Sequence, residues 1–211
     1  ALQVAGPEWF ESAHALLLAV LEEEPPMAAS DDVVAGSRTR MALEIAPWYA
    51  DLVLGLYPDR GISAELLRIA YAAAVRSANT TRRGGGCSGG GQSNAAVDAG
   101  QTLAWTLVCK LLSRLDAYSA ETGSAVRMEI ECVRRRELLL VLADLLAAVP
   151  LELLPRLMPE LRARLLAERD AASRKAVDDE IQQVVLAKAD VTRKFALSTW
   201  AWQLHSDSSK L

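Results

Sequence analysis

The sequence predicts an all-α fold, and three observations carry that reading. Hydrophobic residues make up 51% of the chain, much of that Leu and Ala, which are strong helix formers. Aromatic residues are only 5%, and β-branched runs are few. Apolar residues recur at i, i+3, i+4 and i+7 in segment after segment, which is the spacing of one face of a helix. The 211 residues suffice for one substantial core. The expectation is a HEAT- or armadillo-like α-solenoid, or an irregular helical bundle, of about eight helices. One helical domain covers 1–204, broken by a Gly-rich insertion at 80–94 and followed by an exposed tail at 205–211.

Pro7 and Glu8 open the first helix, since Pro fits the first turn and an acid suits the positive end of the helix dipole. Trp9, Ala13, Leu16, Leu17 and Val20 then mark its expected buried face. Glu22-Glu23-Glu24 and Pro25-Pro26 stop it, and 25–38 read as a polar loop. A second helix is expected over 39–46, with Pro47 starting or kinking a third that runs to Pro58. Asp59-Arg60-Gly61 reads as a turn. Ser63 is a good N-cap for the next helix, with Leu66, Ile69, Ala70 and Ala73 on its buried side.

Thr80 to Asn94, TTRRGGGCSGGGQSN, has almost nothing to pack and reads as a flexible loop. Periodicity resumes near Ala95, where Ala104, Leu107, Val108, Leu111, Leu112 and Leu115 form a wide stripe. After a break at 118–125, a long helix to about Val149 buries Leu138, Val141, Leu142 and Leu145 and keeps Arg134-Arg135-Arg136 on a solvated face. Pro150, Pro155 and Pro159 punctuate the next stretch. Leu161 and Leu165 lead into a charged helix, and the last helix aligns Leu197, Trp200, Ala201 and Leu204. Trp200 and Trp202 lie about 200° apart around a helix, so one of them must be exposed. Pro-bounded helices and Leu-Leu pairs echo along the chain, but no signature repeat of about 40 residues emerges.

Composition excludes several functions. A net charge of −4 with both signs interspersed offers no platform for nucleic acid. Cys87, Cys109 and Cys132 have no C-x-x-C spacing and read as small buried hydrophobes in a reducing compartment. No run approaches about 18 uninterrupted apolar residues, the length of a membrane span. The chain lacks the basic start and cleavage site of a secretory signal. It begins without Met, inside a helical pattern, and is expected to be the C-terminal piece of a longer protein.

Catalytic and cofactor motifs fare no better. Gly84, Gly86 and Gly89 satisfy G-x-G-x-x-G, but an Ala-rich helix enters the motif where dinucleotide binding needs a strand. No Gly-Lys-Ser/Thr follows for a phosphate loop. His14 and His205 are the only histidines, and neither has an obvious Ser, Cys or Asp partner for a nucleophilic triad. Ligands at metal-binding spacing are lacking. No catalytic residue, cofactor or metal is therefore expected. Trp48, Tyr49 and the terminal tryptophans read as core and rim packing.

The one specific motif is the terminus. Ser209-Lys210-Leu211 is a receptor-read address for the peroxisome lumen when it stands at the free end of a chain. The receptor groove reads the terminal carboxylate together with the Lys210 and Leu211 side chains, and the polar residues His205 to Ser208 would present it. Chance places these three residues at this position in roughly one chain in a few thousand.

Together with that tripeptide, the segment Pro47 to Ala74, PWYADLVLGLYPDRGISAELLRIAYAAA, resembles a Pro-bounded helix pair of the fungal peroxin 8 family, and region 136–166 is compatible with it. The resemblance is to the C-terminal region of that family and covers most of the chain. It implies a non-enzymatic lumenal scaffold, peripheral to the inner face of the peroxisomal membrane. Such a scaffold links the docking and RING-finger subcomplexes and engages the tripeptide-reading import receptor of TPR type. The Gly-rich insertion departs from that pattern. The rival expectation is the helical C-terminal domain of a peroxisomal matrix enzyme similar to an acyl-CoA oxidase.

Overall fold

The computed structural model describes residues 7–22, 32–58, 61–80, 93–118 and 125–208, with the backbone alone described at several helix ends. Among them are eight α-helices and no strand, as the composition predicts. They are α1 (Pro7–Glu22), α2 (Asp32–Leu56), α3 (Ala64–Thr80), α4 (Ser93–Ala117), α5 (Ala125–Ala148), α6 (Leu154–Leu166), α7 (Ala171–Gln183) and α8 (Val191–Ser208). A 3₁₀ turn, Leu151–Leu153, leads into α6, and a π turn, Val184–Lys188, extends α7.

The helices stack in chain order. Each packs against its successor, and α1–α3, α2–α4, α3–α5, α5–α7 and α6–α8 pack two places apart. Polar contacts complete the series between α4 and α6. Arg164 bonds Asp116 at 2.8 Å, and the Arg156 guanidinium lies 4.1 Å from the Trp105 ring centroid. Odd-numbered helices thus form one layer and even-numbered helices the other, the arrangement of antiparallel pairs in an α-solenoid. One contiguous apolar core runs from Leu21 to Leu204. Leu111 and Leu142 are fully buried at its centre, as their stripes predict.

Local signals explain several boundaries. The Ser63 hydroxyl accepts from the Leu66 amide at 3.1 Å, the N-cap bond expected for α3. Gly61 has φ of 87°, a left-handed conformation natural to glycine, while Asp59 and Arg60 of the expected turn lie outside the described residues. Asp170 caps α7, its carboxylate accepting from the Ser173 amide at 2.8 Å. The Arg193 guanidinium reaches out of α8 to the Leu146 carbonyl at 3.3 Å and to that of Val149, satisfying acceptors that the end of α5 leaves open.

Elsewhere the structure corrects the expectations. Residues 32–38 are helical, and α2 passes through Pro47 without a break. A proline inside a helix costs about 3 kcal/mol, but the turn around it buries Ala46, Tyr49, Ala50 and Val53, which offsets that cost. Pro159 likewise lies inside α6, between buried Leu157 and Leu161. Among the described side chains of α1, His14 and Leu21 are buried, whereas Ala13 and Leu16 are exposed, and only the backbone of Trp9 is described. Ile69 is also exposed. Thr80, Ser93 and Asn94, expected in the insertion loop, are helical, and 81–92 lie outside the described residues. Helix α8 continues to Ser208, four residues into the expected tail. No helix among the described residues is long and apolar enough to cross a membrane.

Candidate functional site

The sequence places its candidate site on Ser209, Lys210 and Leu211. These lie outside the described residues, one step beyond the end of α8. The preceding segment is tied down at His205, whose Nδ1 is 2.8 Å from the Asp178 carboxylate on α7. The helix that would present the tripeptide is therefore docked on the body of the protein by Leu197, Trp200 and Leu204, all buried. Trp202 points outward, as the rotation argument requires.

Sequence reading missed the most developed polar constellation among the described residues. Three of its members, Arg68, Asp144 and Lys188, line an open cleft of about 820 Å³ between α3 and α5. Arg68 on α3 bonds Asp144 on α5 at 2.6 Å and Glu180 on α7 at 2.6 Å. Lys188, carried by the π turn, bonds the same two carboxylates at 2.6 and 2.9 Å. The four charges alternate around a closed ring. The π turn, closed by the Ala189 amide on the Val184 carbonyl at 2.8 Å, is what delivers Lys188 to it.

Electrostatics follow from that ring. Burial opposes ionisation of Asp144, but the bonds from Arg68 and Lys188 outweigh it and hold the carboxyl below its ordinary value. The bond to Asp144 is the largest influence raising Arg68. Burial pushes Lys188 down, and its bonds to Asp144 and Glu180 more than reverse this. Asp144, Arg68 and Lys188 are thus each held in the charged form by their neighbours. Such a ring fastens three helices together and supplies no base or nucleophile poised to react.

Several other buried polar contacts are also fastenings. His14 Nδ1 lies 2.7 Å from the Tyr49 hydroxyl, joining α1 to α2, a partner the sequence did not reveal. Burial lowers the pKa of His14 and raises that of Tyr49 to about 12. Tyr71 donates to the Leu107 carbonyl at 2.6 Å, and Tyr57 donates to Glu137. Arg135 bonds buried Glu168 at 2.6 Å, so the arginine run is not the solvated face that its charge suggests. Glu168 in turn accepts from the Arg169 amide at 3.0 Å and orders the turn before α7. Cys132 is exposed and Cys109 half-buried, against the expectation of buried thiols, and Cys87 lies outside the described residues. Trp48, expected to pack, is exposed beside buried Tyr49.

No group of three or more His, Cys, Asp or Glu suited to a metal occurs among the described residues. No known family, curated protein or solved structure matches this chain.

Proposed function

We propose that this chain is a non-enzymatic peroxisome biogenesis factor. In this reading it is a lumenal scaffold, peripheral to the inner face of the membrane, that links docking and RING-finger subcomplexes and engages import receptors. The observation that carries the reading is Ser209-Lys210-Leu211, which acts as an address when Leu211 bears the free carboxylate. The two-layered helical stack supports it, because stacked helix pairs offer long faces for several partners at once. So does the way these charges are used: Arg68, Asp144, Glu180 and Lys188 are spent on joining helices.

Recognition at the tail follows from the chemistry of its atoms. Leu211 supplies apolar burial, Lys210 supplies charge, and the carboxylate takes N–H donors at the closed end of a receptor groove. Deleting Ser209 to Leu211, or adding one residue after Leu211, abolishes binding to a purified tripeptide-reading receptor in a fluorescence titration. Unchanged binding by both variants would overturn the address reading.

A further inference from the structure

Helix α8 is apolar on two opposite faces. One docks on α6 and α7 through Leu197, Trp200 and Leu204. The other carries Val191, Phe195 and Trp202, which are 85%, 83% and 75% exposed. With Ser198 they follow the i, i+4, i+7, i+11 spacing of a two-helix seam. Leu186, on the π turn just before α8, is 69% exposed as well, and Lys194 Nζ donates to its carbonyl at 2.9 Å. Every helix from α1 to α6 is joined to the helix two places after it. The outward stripe of α8 lies on the face turned away from α6 and α7.

We propose that this stripe is a homodimer interface, in which α8 of one protomer packs antiparallel against α8 of its partner across a two-fold axis between Ser198 and Thr199. Size favours a second copy. The two exposed aromatic side chains alone present about 300 Å² of apolar surface, taking about 150–250 Å² for an aromatic side chain, and Val191 and Leu186 add to it. The rim formed by Lys194, Ser198, Thr199 and His205 extends the patch toward the roughly 800 Å² per partner that a stable complex buries.

Shape and charge favour it as well. About that axis Phe195 of one protomer lies against the partner's Trp202, and the smallest side chains of the stripe meet at the centre, where two helices must approach most closely. The hydroxyls of Ser198 and Thr199 already donate to the carbonyls of Lys194 and Phe195, at 2.5 and 3.3 Å. They bring no unsatisfied donor into the contact. Antiparallel packing also sets Lys194 against the C-terminal third of the partner helix, the negative end of its dipole. The isologous contact closes on itself and yields a dimer with no free second patch. This inference stands independently of the peroxisomal reading.

Sedimentation velocity of the full chain over a concentration series tests it. Wild-type protein is expected to shift from monomer to dimer in the micromolar range. A variant carrying Phe195→Glu and Trp202→Glu is expected to weaken the dimer by about 100-fold or more, the loss of two aromatic anchors. Unchanged circular dichroism would show that the fold is intact, as the exposure of both residues requires. A second variant, with Phe195→Lys and Trp202→Lys, is likewise expected to be monomeric alone. Mixing the two should restore a heterodimer, because position 195 of one faces position 202 of the other. Wild-type protein that stays monomeric at 100-fold the micromolar range, a dimer indifferent to the double substitutions, or wild-type monomers that instead sediment with anionic phospholipid vesicles would each overturn the proposal.

Discussion

Replacing Asp144 by Asn tests how the stack is fastened. The substitution keeps the shape of the side chain but removes its charge, and it sets an amide donor against one of two cations. Asp144 accepts from Arg68 at 2.6 Å and from Lys188 at 2.6 Å. A hydrogen bond to a charged group contributes about 1.5–3 kcal/mol. The Asp144 side chain is only 10% exposed, so its bond with Arg68 keeps most of that value, whereas Lys188 is 45% exposed and its bond falls to about 1 kcal/mol or less. Arg68 retains Glu180 at 2.6 Å, which recovers part of the loss. The expected cost is about 2–3 kcal/mol, or a fall in Tm of about 5–10 °C for a chain of this size. Lys188→Met, by contrast, should cost about 0.5–1 kcal/mol.

Urea unfolding followed by circular dichroism measures both variants. The pH dependence supplies a further check. The folded-state pKa of Asp144 lies below the ordinary 3.8. Its contribution is therefore fully present above that value and is lost as pH falls from it through the folded-state value. The gap between wild type and Asp144→Asn should be constant around neutrality and close on acidification. A cost below about 0.5 kcal/mol for Asp144→Asn, or equal costs for the two variants, would refute the idea that the ring joins α3, α5 and α7.

Three further outcomes are expected. Leu111→Ala and Leu142→Ala, each fully buried, should each lower stability by about 2–5 kcal/mol in urea titrations. Asp190 caps α8, accepting from the Arg193 amide at 2.9 Å, and the bonds from the Thr192 hydroxyl and that amide hold its carboxyl down at about 2. Asp190→Ala should cost about 1 kcal/mol at neutral pH. That difference should vanish as pH falls from the ordinary 3.8 through about 2, followed by thermal melts. Burial keeps His14 neutral in the fold and lowers its pKa from 6.5, so acidification below that value favours its release. Amide protection in α1, corrected for intrinsic exchange, should fall as pH drops below 6.5 while that of α5 persists.

The fold class was legible because the dominant signal is local. Helical stripes such as Ala104 to Leu115 and Leu138 to Leu145 report their own burial. Single residues were legible only where the local pattern was unambiguous, as with Ser63 at its cap or Trp202 opposite Trp200. Pro47 misled, because an intrinsic helix breaker was overridden by the burial of the turn that holds it. Leu16 and Ile69 misled in the other direction: apolar spacing alone does not say whether a neighbour arrives to cover a residue. The charged ring was invisible for a different reason. Arg68 and Asp144 are 76 residues apart, and Lys188 reaches them only through a π turn that no residue pattern announces. The outward stripe of α8 was readable in its spacing, yet its exposure followed only from seeing which face of α8 meets α6 and α7.

The central claim is that the chain serves import and is not merely imported. Its most direct test is a knockout scored by fluorescence microscopy for the location of several unrelated peroxisomal matrix enzymes, with wild-type chain restored in a control strain. An import scaffold predicts that all of them remain in the cytosol without the protein and return to peroxisomes when it is restored. Normal import of every one of them in the knockout would contradict the account and favour a cargo enzyme domain that carries Ser209-Lys210-Leu211 for its own delivery.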